Sequence, residues 1–466
     1  MSHLRLFNHY ISTPLVLLGF LEVIVLSAAI PIGCYLRFGS EPRLFGEEIL
    51  VANSVLFAIV MVTSNLAMGV YSAGFKDGLG VMAVRTLVAN CLLGIIAITV
   101  LYYIFPQIFL GRGVLALATI SGLALVSPLR LFFYYWVGRD STGARLLVVG
   151  AGDRALALAE QLEGNQSGVK IVGFVGVSSN VALELEDRLV KNTPLLQLVK
   201  EFNVDEVVVA MDGQRASDGG QIPLKELLEC KQYGTRVNEA ISVYERELGI
   251  LEFTELKQGW MVFGNGFGGS RSWDLAKRFS DIVIASILVV LLCPLILLAV
   301  LMILAETGRP VLYSQERVGL NGKVFRIYKF RSMTVNAESD GKAQFAQEGD
   351  TRVTRMGAVL RNTRMDELPQ LYNVLRGDMS FVGPRPERPE FVSGFDEKLP
   401  FYNERHAVKP GLMGWAQLNY PYGASMEDAA NKLRYDLYYV KNRSLILDLS
   451  IMIQTVQVIL LGTGVR

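Results

Sequence analysis

Asp366 and Glu367 stand side by side in the stretch LRNTRMDELPQ (360–370), with Arg361 and Arg364 just ahead of them. Arg376 and Arg385 follow in NVLRGDMS and VGPRP, so two carboxylates lie among four arginines. Carboxylate oxygen is the ligand a hard cation such as Mg²⁺ takes together with substrate phosphate. Guanidinium forks neutralise phosphate oxygens two at a time. One carboxylate of the pair would then be left to act as a nucleophile. Pro369 opens an apolar-periodic run and suits the first turn of a helix, where negative charge just ahead is favoured. The plainer reading of an adjacent Asp-Glu pair is a helix cap with surface ion pairs.

Other chemistries have less to work with. The only histidines are His3, His9 and His406, which rules out a His-built metal centre and leaves His406 alone for any triad. His406 lies in ERHAVKPG, outside the charged cluster, and reads as structural or substrate-positioning. Cys34, Cys91, Cys230 and Cys293 have no paired spacing, so disulfides and zinc are poor readings. A net charge of +1 leaves no footprint for nucleic acid.

Two more motifs need an element to carry them. Val324–Ser332 alternates apolar and polar residues, so Lys323, Arg326, Lys329 and Arg331 decorate a strand-like ribbon. Gly150-Ala151-Gly152-Asp153-Arg154-Ala155 follows the apolar run RLLVVG and precedes a helical stretch through Leu162. With further strands expected at Val169–Val175 and Glu206–Ala210, this is the strand–turn–helix context that cradles a phosphate. The second strand, however, closes on Val175-Gly176-Val177-Ser178-Ser179, with no acid to hold a ribose. A Rossmann-like domain that binds nothing, or regulates, is the preferred expectation.

The elements that must position these groups are of two kinds. The first 140 residues hold 14 charged side chains against 75 in the remaining 326, which marks a membrane-embedded front end. Four apolar runs, about Pro14–Leu36, Leu50–Tyr71, Val81–Phe105 and Val114–Val137, are each near the ~20 residues that cross a bilayer. The first is too long for a cleaved signal peptide. Arg5, Lys76, Arg85, Arg130, Arg139 and Arg145 on one side, against Arg37, Arg43 and Arg112 on the other, favour cytoplasmic ends. Glu22 inside the first run is expected to pair within the bundle and Arg85 to snorkel to the interface. A fifth run, Ile282–Ala305, carries Pro294 at its middle and basic residues Lys277, Arg278 and Arg309 at both ends. A kinked segment that enters and leaves by one face is slightly favoured over a crossing.

From about Trp273 to the end, the chain resembles the catalytic domain of bacterial polyprenyl-phosphate hexose-1-phosphate transferases, the monotopic phosphoglycosyl transferases. The matching text is KRxxD before the fifth run, its proline, YKFRSM, LRNTRMDELPQLYNVLRGDMSFVGPRP and KPGLMGWAQ. Four spans and a degenerate Rossmann-like domain ahead of it resemble the large subclass. The resemblance implies three parts: a four-helix transmembrane bundle (1–140), a Rossmann-like α/β domain (141–265), and a mainly α catalytic domain (271–466) whose re-entrant helix covers about 279–306.

It also implies roles. Asp366 matches the nucleophile that attacks the β-phosphate of a UDP-sugar and expels UMP, and Glu367 the carboxylate that holds Mg²⁺. Arg361 and Arg385 match phosphate-binding arginines, and Lys329 and Arg331 of YKFRSM join the expected substrate-binding set. Lys277 and Arg278 match the basic pair that meets the polyprenyl phosphate headgroup, and Pro294 the residue that bends the re-entrant helix. The implied reaction moves hexose-1-phosphate, from UDP-glucose or UDP-galactose, to undecaprenyl phosphate and primes exopolysaccharide, capsule or O-antigen synthesis. The implied setting is the cytoplasmic face of the bacterial inner membrane, among membrane lipids, as a homodimer. Two other readings compete. An NAD(P)-dependent enzyme lacks the ribose acid and a correctly spaced Tyr-x-x-x-Lys pair. A nucleotide-sensing scaffold for polysaccharide assembly would bind UDP-sugar without transfer.

Overall fold

Long apolar runs can satisfy their backbone polar groups in lipid only by becoming helices. The computed structural model describes all residues except 1, 2, 7, 8, 40–46, 74–78, 109–110, 140–143, 165–168, 178–180, 191–192, 213–221, 257–265, 269–270, 335–351, 422, 424 and 462–466. Among the described residues, five helical segments are long and apolar enough to cross a membrane: Thr13–Phe38, Glu48–Ala67, Leu79–Ile104, Arg112–Trp136 and Arg271–Thr307. The chain divides into two compact units, one of Met1–Leu6 with Tyr10–Glu252 and one of Phe7–His9 with Phe253–Arg466.

In the first unit, the first span is two helices, α1 (Thr13–Ser27) and α2 (Ala29–Phe38). Then come α3 (Glu47–Ala67), α4 (Leu79–Val88), a π-helical turn at Ala89–Gly94, α5 (Ile95–Ile104) and α6 (Arg112–Arg139). Leu26, Ile30, Phe57, Met61, Ile98 and Val114 pack between them, while Phe20, Ile24, Val84 and Phe132 face outward. Gly33 lets α2 approach α6 closely: a Cβ there would lie 2.9 Å from the Ala118 nitrogen.

Glu22 pairs inside the bundle as expected, and its partner is Arg130. The guanidinium Nε and Nη2 reach its two carboxylate oxygens at 2.6 and 2.7 Å, with Tyr71 and Thr86 also bonded into the group. Arg130 therefore corrects the reading of the flanks: it is a buried member of the bundle, and does not belong among the interfacial positive charges. Lys76 and Arg43, also counted there, lie outside the described residues.

The same unit holds a four-stranded parallel sheet, β1 (Ala144–Val149), β2 (Val169–Val175), β3 (Glu206–Val209) and β4 (Arg236–Glu239), in the order β2-β1-β3-β4. Helices α7 (Asp153–Gly164), α8 (Leu195–Glu201) and α9 (Leu224–Tyr233) accompany it. Leu147, Val149, Leu195, Leu198, Val207 and Cys230 share one core. Near-continuous apolar strands are what a sheet covered on both faces requires.

The second unit begins with α10 (Arg271–Thr307), a single helix with Pro294 inside it. Val290, Leu291, Leu297 and Leu301 along its middle are exposed, whereas Lys277, Asp281, Ala299 and Ile303 are buried. An antiparallel hairpin follows, β5 (Leu312–Val318) and β6 (Val324–Phe330), with Tyr313 opposite Lys329. Then come α11 (Arg355–Asn362), α12 (Gln370–Arg376), a short parallel pair β7 (Ser380–Val382) and β8 (Gly411–Met413), and helices α13 (Met426–Asn442) and α14 (Leu445–Leu461). Ser425 and Asp428 form a reciprocal cap at the start of α13.

Candidate active site

Asp366 and Glu367 sit in a single 3₁₀ turn, Met365–Glu367, between α11 and α12. Arg364 enters that turn in the left-handed region (φ 56°), which reverses the chain and aims both carboxylates at β6. Asn373 of α12 fixes the distance to β6. Its amide oxygen accepts from the Tyr328 N–H at 3.1 Å and its amide nitrogen donates to the Arg326 carbonyl at 2.7 Å. A side-chain amide so placed imitates a neighbouring strand, and it is fully buried.

That register brings Lys329 onto Glu367: Nζ donates to Oε1 at 3.1 Å. Arg385 reaches the same oxygen at 3.5 Å from the GPRP turn after β7. Burial opposes ionisation of Glu367, but the charges of Lys329, Arg385 and Arg364 outweigh it and take its pKa down to about 2. Asp366 goes the other way. Burial, then the negative charge of Glu367, raises its pKa against the pull of Lys329, Arg361 and Arg364. Adjacent carboxylates are thus driven apart, Glu367 firmly anionic and Asp366 the more basic.

The turn that carries Arg385 is pinned from two sides. Asp281, on α10, accepts from the Ser380 hydroxyl at 3.0 Å and the Phe381 N–H at 3.1 Å. Arg405 donates to the Arg385 carbonyl at 2.9 Å, while its Nη2 and Nε lie 2.7 and 3.0 Å from one Asp436 oxygen and its Nη1 meets the Tyr402 hydroxyl. His406, next to Arg405, is buried with neither ring nitrogen hydrogen-bonded. Burial and the Arg405 charge lower its pKa to about 4, so it is neutral at physiological pH.

The remaining expected site residues are placed as follows. Arg361 donates from Nε to the Ser332 hydroxyl at 2.9 Å and faces Asp366 closely enough to act on its charge. Arg331 meets the Thr307 and Gly308 carbonyls at the end of α10. Lys277 is buried against Asp448 of α14 at 2.5 Å and the Tyr439 hydroxyl at 3.2 Å. Arg278 caps the C-terminal end of α12, donating to the Val374 and Leu375 carbonyls at 2.6 Å each. Arg376 corrects the sequence reading. It pairs with its near neighbour Asp378 at 3.3 Å rather than with the carboxylate pair, because α12 turns it to the surface.

Asn373, Asp281, Tyr439, Asp448 and the Arg405–Asp436 pair were not singled out from the sequence as parts of the site. Asp281 and Asn373 did lie inside the motifs KRxxD and LRNTRMDELPQLYNVLRGDMSFVGPRP, without a role being given to them. As to a metal, no group of three or more His, Cys, Asp or Glu is gathered among the described residues. An ionised Glu367 beside Asp366 still fits Mg²⁺, which binds through one or two carboxylates and takes its other ligands from phosphate and water.

In the glycine loop of the first unit, the anion position at the helix start is filled by the chain's own carboxylate. Gly150, at φ 125°, lies against the Ala210 carbonyl, where a Cβ would collide. The N–H groups of Asp153 and Arg154 at the start of α7 point at the Asp212 carboxylate, 3.1 and 2.8 Å away. Because β1 and β3 are parallel neighbours, Val149 opposite Val209, the chain leaving β3 delivers that carboxylate to the loop leaving β1.

The sequence model for the family described as bacterial sugar transferase matches residues 272–462. Caulobacter vibrioides has a UDP-glucose:undecaprenyl-phosphate glucose-1-phosphate transferase that is 44% identical over 185 residues, 39% of this chain and 69% of that protein. The chain belongs to the bacterial sugar transferase family. A protein of Xanthomonas campestris pv. campestris with the same name is 29% identical over 401 residues, 81% of this chain and 80% of its own. The UDP-N-acetylgalactosamine-undecaprenyl-phosphate N-acetylgalactosaminephosphotransferase of Aeromonas hydrophila is 52% identical over 190 residues, 41% of this chain. The chain spans 45% of the length of that Aeromonas relative.

Proposed function

We propose that the protein transfers a sugar-1-phosphate from a UDP-sugar to undecaprenyl phosphate, through a covalent sugar-phosphoryl intermediate on Asp366. The observation that carries this reading is the split carboxylate pair: a basic, buried Asp366 against a Glu367 held anionic by Lys329, Arg385 and Arg364. Asp366 attacks the β-phosphorus, its oxygen forms the new P–O bond, and the bond to UMP breaks with the electron pair leaving on UMP. An oxygen of undecaprenyl phosphate then attacks the same phosphorus and releases the Asp366 carboxylate. Phosphoryl transfer asks mostly for positioning and charge neutralisation, which Arg361, Arg364, Lys329 and Arg385 supply. Mg²⁺, held by Glu367, would add neutralisation of the pyrophosphate oxygens.

The setting we propose is the cytoplasmic face of the inner membrane, with α10 entering and leaving by that face. Support comes from both ends of α10. Arg278 holds α12, and 28 residues later, about 42 Å along a straight helix, Glu306 accepts from the Arg355 and Met356 N–H groups at the start of α11. A bend at Pro294 lets one helix serve both anchors while its apolar middle sits in lipid.

The relatives' names divide between glucose and N-acetylgalactosamine, so the donor is read from a panel. UMP release is measured with UDP-glucose, UDP-galactose and their N-acetylated forms, with undecaprenyl phosphate and Mg²⁺. Release with at least one donor, lost in Asp366→Asn and in EDTA, is expected. Release that survives Asp366→Asn would overturn the nucleophile. No release from protein that still binds nucleotide would favour the scaffold.

A further inference from the structure

We infer that Arg331 receives the phosphate of the lipid acceptor, at the C-terminal end of α10; this rests on the transferase reading above. The Arg331 guanidinium is more than nine-tenths buried, and no carboxylate pairs with it among the described residues. Only Nη2 is satisfied, by the Thr307 carbonyl and hydroxyl and the Gly308 carbonyl, while Nε and Nη1 have no hydrogen-bond partner. A buried cation with no carboxylate partner is costly, and buried charges are otherwise found paired. The carbonyl end of α10 offsets only part of that charge, and the two unpartnered donors call for an anion.

The place selects which anion. Thr307 and Gly308 end the helix whose exposed apolar middle lies in lipid, so Arg331 stands at headgroup depth. Lys277 and Arg278, at the other end of α10, have their polar atoms engaged with Asp448, Tyr439 and the α12 carbonyls. Arg361 donates to the hydroxyl of Ser332, the residue that follows Arg331. Ile303 at the end of α10, Phe330 beside Arg331, Leu360 of α11 and Met365 beside Asp366 share one apolar cluster. A phosphate held by Arg331 is thereby tied to the frame that carries the nucleophile. The shared chemistry is a phosphate group; the lipid acceptor and the nucleotide donor are its two sources.

Steady-state rates of the full-length protein in detergent separate them, with undecaprenyl phosphate varied at saturating UDP-sugar and then the reverse. Arg331→Gln is expected to raise KM for undecaprenyl phosphate at least tenfold and to leave KM for the UDP-sugar within twofold. Arg331→Lys keeps a charge at the helix end and tests the site where the glutamine variant does not accumulate; it is expected to raise the lipid KM at least threefold. An unmoved lipid KM in the variant that folds would overturn the assignment, as would an equal rise in both KM values. No UMP release by the wild-type protein would instead remove the transferase reading, and this inference with it.

Discussion

Replacing Lys277 with Met tests whether the basic pair near the start of α10 is a latch or a headgroup contact. The Lys277–Asp448 pair is 2.5 Å apart with side chains 10% and 6% exposed, so water screens it little. Removing one partner of a buried ion pair strands the other charge, at a cost of about 3–5 kcal/mol. For a unit of roughly 200 residues each kcal/mol moves the melting temperature by about 2–4 °C, so a fall of about 6–20 °C is expected. The assay is thermal unfolding of the purified protein in detergent.

The pH dependence carries the sign. Burial already raises the pKa of Asp448 with Lys277 beside it, and losing Lys277 raises it further. An acid whose folded pKa exceeds its unfolded value contributes stability at low pH that is lost as pH rises through the folded pKa. The deficit of Lys277→Met should therefore shrink from pH 8 toward pH 5. Lys277→Met with Asp448→Leu, which removes both charges, should recover most of the loss. Melting within 2 °C of the wild type at pH 8, with only the lipid KM changed, would refute the latch and return Lys277 to the headgroup.

Other outcomes follow from the same geometry. Since burial and Glu367 raise Asp366, the acid limb of kcat/KM should fall above the ordinary aspartate range, with activity rising as Asp366 deprotonates; a limb at or below pH 3.8 would refute it. Glu22→Gln strands Arg130 inside the bundle and should lower the melting temperature by a margin like that of Lys277→Met, whereas unchanged melting would mean that Arg130 finds other partners. Asp212→Ala uncaps α7 at a cost of about 1 kcal/mol, so hydrogen exchange at Asp153 and Arg154 should quicken about fivefold. Unchanged exchange there would mean that the carboxylate does not hold the loop.

What the sequence made legible was whatever repeats over short distances. Apolar length located the first four long apolar helices to within four residues, whereas the fifth begins at Arg271, eleven residues ahead of its apolar run. Alternation located β6, and the Pro369 signal placed a turn of carboxylates ahead of α12. The partner strand β5, reading LYSQERV, escaped because it lacks a clean apolar face and is defined only by its pairing. Arg130 was misread for a related reason: a charge near the end of a run looks interfacial until the residue 108 positions away that faces it is known.

The same logic explains why the carboxylate pair was easy to name and its support was not. Asp366 and Glu367 are neighbours whose arginines lie mostly within one stretch, so their chemistry can be argued from spacing. What sets their geometry is remote: Asn373 spans to β6, and Asp281 reaches Ser380 across 99 positions. KRxxD then has a reason to stand before an apolar helix beyond attraction to lipid. Within one and a half turns, Lys277 grips α14, Arg278 grips α12 and Asp281 grips the strand that leads to Arg385. A shift of the helix at the membrane surface would move both the strand feeding Arg385 and the helix following Asp366. The geometry of the carboxylate turn and the seating of α10 are therefore one mechanical problem in this fold, and a variant that loosens α10 should lower kcat even where every residue of that turn is intact.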